Sequence, residues 1–196
     1  CEIKFLVKIP IFVARQWIRH RTANVNEYSA RYSVVPDEFY IPDNVHICGQ
    51  NTTTNKQGSS GVVPTEDAEK WKSYLQRDCD KAFKTYHCAL EIEEIARETA
   101  RMGLPLNTYT KMVWKIDLHN FMHFLRLRLD SHAQYEIRVF AEAMYKIAKE
   151  LFPITFAAFD DYILGAVTLS RQEQDVLKWL LSGQVRLGGL EDLISL

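Results

Sequence analysis

The densest set of chemically capable side chains lies between residues 15 and 31. Arg15, Arg19, Arg21 and Arg31 stand there with His20, beside Gln16, Asn26, Glu27 and Ser29. Guanidinium forks match phosphate oxygens two at a time, while amide, carboxylate and hydroxyl groups can read the edge of a polar heterocycle. Together they make a nucleotide-sized set of donors and acceptors. The plainer alternative is a solvated basic face that pairs with acidic helices elsewhere. A second pattern, His119 and His123, has the H-x-x-x-H spacing that puts two imidazoles on one helix face. It lacks a Glu after the first His, and only His132 or Asp130 offers a third ligand, so no metal is expected.

The four cysteines, at 1, 48, 79 and 88, have no C-x-x-C spacing and suggest reduced thiols without disulfides. None reads as an activated nucleophile. Cys48 lies in polar sequence and Cys79 on an apolar helix face. Cys88 adjoins His87, whose side chain would point about 100° away on a helix.

These residues need elements to hold them. Residues 2–9 alternate Ile3, Phe5, Val7 and Ile9 against Glu2, Lys4 and Lys8, the pattern of a half-buried strand with Leu6 as the exception. Pro10 then opens a short helix expected over 10–21, carrying Ile11, Ala14, Trp17 and Ile18. Asn24 to Pro42 is mixed and aromatic. Cys48 to Thr65 is rich in Gln, Asn, Thr, Ser and Gly, cannot bury apolar area, and reads as a mobile loop. Residues 66–102 read as a long helix, with Trp71, Tyr74, Leu75, Cys79, Phe83 and Tyr86 on its apolar face, a break near 90 and a second shorter helix. A strand is expected over 107–116, a helix capped by Asp117 runs towards Arg128, and another is capped by Ser131. Ser170 and Glu173 form the S-x-x-E pattern of a capping box before a helical tail starting at about 169.

The chain has 196 residues, 24 Lys+Arg against 25 Asp+Glu, a net charge of −1 and 47% apolar residues. That composition suits one globular α+β domain over 1–196 with more helix than strand, and excludes disordered, collagen-like and coiled-coil classes. Balanced charge argues against a histone-like or tail-driven nucleic-acid binder. No apolar run approaches the ~20 residues of a membrane span, and no signal segment is evident, so a soluble, cytoplasmic protein is expected.

The segment RHRTANVNEYSARY, residues 19–32, resembles the flavin-dependent thymidylate synthase signature R-H-R-x-x-S-x-N-E-x-S-x-R-Y. It matches every fixed position except the first Ser, which is Asn24 here. FLVKIPIFVARQW before it, FYIP at 39–42, LPLN at 104–107 and LRLDSHAQ at 127–134 are also similar to that family, and the likeness extends to about residue 165. The resemblance implies a central antiparallel sheet flanked by helices, assembled as a homotetramer with shared active sites. It implies reductive methylation of dUMP to dTMP, with methylenetetrahydrofolate as carbon donor, FAD as bound cofactor and NADPH as reductant. No cysteine nucleophile is needed in that chemistry. The chain opens at Cys1 without Met. The front portion of the family fold, with a His-x-x-Pro-Phe-Glu-like flavin contact, is therefore expected to be absent from it.

Carried over by position, the resemblance places Gln16, Trp17, Ile18 and Arg19 on dUMP. It makes Glu27, Tyr28, Ser29, Ala30 and Arg31 a nucleotide-binding loop presented to a neighbouring subunit, with Arg101 and Arg128 as further dUMP contacts. Arg128 and Ser29 stand closest to the chemistry. The arginine would stabilise the ionised uracil, and the serine would position the nucleotide without acting as a nucleophile. Flavin contacts fall on Arg19, His20, Arg21 and Glu27, and on Asp117, Leu118, His119 and His123. One common form of the family has Asn, Arg and Asn where this chain has Asp117, His119 and His123. The alternative from another class is a non-catalytic nucleotide or single-stranded RNA binder, stacking bases on Tyr28, Tyr32 and Tyr40.

Overall fold

The computed structural model describes residues 1–51 and 58–182. Packing divides the chain into two compact units, Cys1–Pro153 and Ile154–Leu196. The first unit is built on a three-stranded sheet of β1 (Glu2–Pro10), β2 (Ala23–Glu27) and β5 (Tyr109–Asp117), in the order β1-β5-β2 with both pairings antiparallel. The fold is therefore α+β and helix-rich, as the sequence pattern implies.

The sheet exists because β1 and β5 alternate in phase. Val7 faces Met112 and Ile9 faces Thr110 in register, and all four are buried. Leu6, on the other face, is 75% exposed. Behind β1, α1 (Ile11–Trp17) begins at Pro10, which supplies no side-chain cap. The orphan donors of its first turn go elsewhere: Ile11 N–H to the Thr108 carbonyl and Phe12 N–H to the Leu106 carbonyl, each at 2.9 Å.

The helix expected over 10–21 is thus seven residues long. The chain turns after Trp17, whose ring is fully buried against Trp114, Phe124 and Phe140, and enters β2. β2 has no alternating pattern because it is an edge strand with little burial. Among the described residues β5 is the one strand it pairs with.

β3 (Cys48–Gln50) and β4 (Ser59–Val62) form a small antiparallel hairpin within the segment read as a loop. Backbone pairing needs no apolar side chains, which is why composition concealed it. Residues 52–57 of that segment lie outside the described residues.

α2 (Thr65–Glu91) buries Cys79, Phe83 and Tyr86 as expected, but Trp71 and Tyr74 are nearly half exposed. The helix therefore packs by its second half. There Phe83 and Tyr86 cluster with Val35, and Phe39 stacks on Phe83. α3 (Arg97–Ala100) and a 3-10 turn at Arg101–Gly103 follow. The FYIP and LPLN segments are joined by two bonds of 2.8 Å, Tyr40 N–H to the Asn107 carbonyl and Asn107 Nδ2 to the Tyr40 carbonyl.

Asp117 caps α4 (Leu118–Arg128), accepting the Asn120 N–H at 2.9 Å. α5 (Tyr135–Leu151) starts later than expected. Gln134, not Ser131, holds its N-cap position, because residues 129–134 are used in the turn from α4.

α6 (Pro153–Phe159) begins at the last residue of the first unit, and in the second unit the chain runs from it through a π-helical turn at Asp160–Leu164 to α7 (Arg171–Leu181). Ser170 and Glu173 form the anticipated capping box at the start of α7. The tail beyond residue 182 lies outside the described residues. Among the described residues, no helix is long and apolar enough to cross a membrane.

Candidate functional site

The signature segment folds as turn, edge strand and loop, and this splits its residues between two places. Where β2 ends, Glu27 Oε1 accepts a 2.8 Å hydrogen bond from Thr110 Oγ1, and the Tyr28 N–H reaches the Lys111 carbonyl at 2.8 Å. The chain then leaves the sheet in a tight loop. The Ser29 carbonyl accepts the N–H groups of Tyr32 at 3.1 Å and Ser33 at 3.2 Å, and Ser29 Oγ accepts the Arg31 N–H at 3.3 Å. Tyr86 anchors the far end of this loop, its hydroxyl accepting the Val35 N–H at 3.1 Å.

Glu27, Tyr28, Ser29 and Ala30 line a cavity of about 410 Å³ together with Arg101, so the structure brings these five predicted residues together. Arg101 follows α3 directly and is exposed. Arg31 does not line this cavity. Its guanidinium pairs with Glu98 at 3.1 Å and lies over the Tyr32 ring.

Lys8, Lys111 and Tyr109 also line the cavity, and reasoning from sequence did not single them out. A signal becomes visible only once the register is known. Lys8 and Lys111 are direct cross-strand partners, an arrangement of like charges that disfavours pairing unless an anion lies nearby. Lys8 is engaged by Glu38 at 2.6 Å, whereas the Lys111 ammonium has no ion-pair partner among the described residues.

The second place is the turn after α1, against α4. Arg128 Nε donates to His20 Nε2 at 3.1 Å, and the His20 ring packs edge-on against Phe124 with His123 nearby. Burial, reinforced by the positive Arg128 and by His123, pushes the His20 pKa down to about 4, so this imidazole is neutral at pH 7. Burial also lowers the Arg128 pKa from its ordinary value. Arg19 and Arg21, which flank His20 in the chain, are exposed, as are His119 and His123 on α4, the His123 ring lying 6.5 Å from that of His20.

Gln16 donates to the Gln134 side chain, tying α1 to the start of α5. The Trp17 side chain belongs to the core, so only its backbone can meet a ligand. Ile18 is exposed. The Leu118 N–H bonds the Cys1 carbonyl at 3.0 Å. Asp117 spends both carboxylate oxygens on Asn120, which holds its carboxyl below the usual range.

Cys79 is buried and exchanges hydrogen bonds with Asn107, and burial raises its thiol pKa, opposite to what a nucleophile needs. Among the described residues, no group of three or more His, Cys, Asp or Glu could hold a metal ion.

The family described as thymidylate synthase complementing protein matches residues 1–154, and the chain belongs to that family. A flavin-dependent thymidylate synthase of Ehrlichia ruminantium (strain Gardel) is 53% identical over 184 residues, covering 94% of this chain and 61% of the relative. That of Ruegeria pomeroyi is 51% identical over 187 residues, covering 94% and 62%. The chain thus spans about three fifths of the length of these curated relatives. Among solved structures, a UMP/dUMP methylase, PolB from Streptomyces cacaoi bound with 5-Br UMP, superposes with a TM-score of 0.76 at 36% identity. The match covers 82% of this chain and 73% of that one.

Proposed function

We propose that this chain carries the nucleotide-binding and catalytic core of a flavin-dependent thymidylate synthase, which reductively methylates dUMP to dTMP. Methylenetetrahydrofolate gives the carbon, and NADPH gives the reducing equivalents through FAD. The observation that carries the reading is the cavity whose wall is Glu27–Ala30 with Arg101 beside it. Its size of about 410 Å³ suits a small ligand, and Arg101 with Ser29 Oγ suits a phosphate.

Arg128 supplies the positive charge that developing negative charge on the uracil requires. Held in place before reaction, it costs no reorganisation when that charge appears. Arg128 does not line the Glu27–Ala30 cavity. A homotetramer in which one subunit's loop serves a neighbour's Arg128 accounts for that separation.

The surface around His20 fits FAD in its chemistry. Exposed guanidinia of Arg19 and Arg21 suit a pyrophosphate, and the His119 and His123 imidazoles can bond ribose hydroxyls or ring edges. Asp117, engaged as a helix cap, offers less to the flavin than the sequence resemblance implies. When bound, the flavin supplies the hydride chemistry. The protein's own residues bind, orient and polarise. A buried Cys79 with a raised pKa agrees with a route that uses no enzyme thiolate.

The test is an anaerobic visible spectrum of the intact protein, before and after addition of NADPH with dUMP, followed by assay of dTMP. A flavin band that bleaches, with dTMP formed once methylenetetrahydrofolate is added, supports the reading. Salt-sensitive oligonucleotide binding with no flavin and no dTMP would replace it with the RNA-binder alternative.

A further inference from the structure

Arg128 is a half-buried cation with no carboxylate partner among the described residues, an unusual condition for a group that is costly to desolvate. Its one side-chain hydrogen bond among the described residues is to a neutral ring: Nε–H donates to His20 Nε2 at 3.1 Å. That contact fixes the tautomer. Nε2 must be unprotonated to accept, so the ring proton sits on Nδ1. The imidazole is itself held by the Phe124 ring at 4.9 Å between centroids. The other charged or titratable groups that face it, Arg128 and His123, both come from α4.

We propose that His20 is a positioning residue for Arg128: by accepting the Nε–H, it fixes the plane of the guanidinium and leaves the four terminal N–H groups to face the uracil. The proposal rests on the functional reading above. Its physical logic is a choice between two kinds of acceptor. A carboxylate at position 20 would hold the fork equally well, but it would cancel the positive charge that the reaction uses. A neutral imidazole orients the fork and leaves its charge intact. Without it, a flexible arginine keeps its charge but loses its aim, and displacement of about 1 Å in such a site costs up to about 100-fold in rate.

Two variants separate orientation from packing. His20→Phe keeps a ring against Phe124 and removes the acceptor, whereas His20→Gln restores an acceptor where Nε2 lay. Both are made in the full-length protein, and turnover is expressed per bound flavin so that cofactor loss is not read as slow chemistry. His20→Phe is expected to lower kcat about tenfold or more while KM for dUMP changes less than about threefold, and His20→Gln to recover most of the loss. A second readout is independent of activity: solvent exchange of the Arg128 Nε–H by NMR, slow in wild type and fast in His20→Phe. The proposal is overturned if His20→Phe turns over like wild type, if His20→Gln is as impaired as His20→Phe, or if the wild-type Nε–H exchanges freely. Should the wild-type protein form no dTMP at all, the functional reading fails by itself. The exchange measurement then still decides whether His20 holds Arg128.

Discussion

Thr110, in the central strand, donates from Oγ1 to Glu27 Oε1 over 2.8 Å, and so pins the last residue of the edge strand at the point where the Tyr28–Arg31 loop begins. Thr110 is 7% exposed, while Glu27 is exposed. The threonine therefore orders a carboxylate that water would otherwise leave free to rotate. Thr110→Val keeps the shape and removes the donor. We expect a loss of about 1 kcal/mol in stability and a severalfold rise in KM for dUMP. Unchanged KM in steady-state assay would show that Glu27 needs no such anchor.

Arg31 and Glu98 bear on the same loop. The resemblance assigns Arg31 to dUMP, yet its guanidinium pairs with Glu98 at 3.1 Å, both side chains being more than half exposed. An exposed pair of this kind is worth at most about 1 kcal/mol. If Arg31 must leave Glu98 to meet a phosphate, Glu98→Gln removes that competition. Affinity for dUMP, measured calorimetrically, is then expected to rise about two- to fivefold, the equivalent of up to about 1 kcal/mol. Weaker binding by this variant would place Arg31's function in the ion pair itself.

The elements legible in sequence are those whose signals are local. The alternation of residues 2–9, the Asp117 cap and the Ser170–Glu173 capping box each lie within a few residues and appear as read. β2 was not legible, because its strand state is imposed by pairing to β5 on a segment whose side chains are chosen for polarity. The start of α5 was misplaced because Ser131 has cap chemistry but stands inside a turn. At the site, the residue types and the Glu27–Ala30 group could be found from the motif. The contact between His20 and Arg128 joins positions 108 apart in sequence, and no local pattern encodes it. Nor could the opposition of Lys8 and Lys111 be seen before the register was fixed.

The pH dependence of stability follows from His20. Its pKa falls from 6.5 to about 4 on folding, so between those values the unfolded chain binds more protons than the folded one. Stability therefore falls as pH drops from about 6.5 to about 4. Because the ring is only half buried, solvent screening reduces the effect to roughly 1–2 kcal/mol. His20→Gln should flatten this part of the curve, measured as the denaturation midpoint against pH. An identical slope in the variant would move the titration to another group.

Lys111 offers the cleanest separation of binding from folding. In register it faces Lys8 across the strands, its ammonium has no ion-pair partner among the described residues, and it lines the cavity that holds Ser29 and Arg101. For the fold alone the pair is unfavourable by roughly 0.2–1 kcal/mol, since like charges directly opposite repel. Lys111→Gln should therefore leave stability unchanged or slightly raised. If the cavity binds the dUMP phosphate, the same change removes one cation from its wall, and Kd for dUMP should rise severalfold with a weaker dependence on salt. Thermal denaturation and calorimetric titration at two ionic strengths test both halves. A variant that is less stable yet binds dUMP as before would mean that Lys111 serves the sheet and not the ligand.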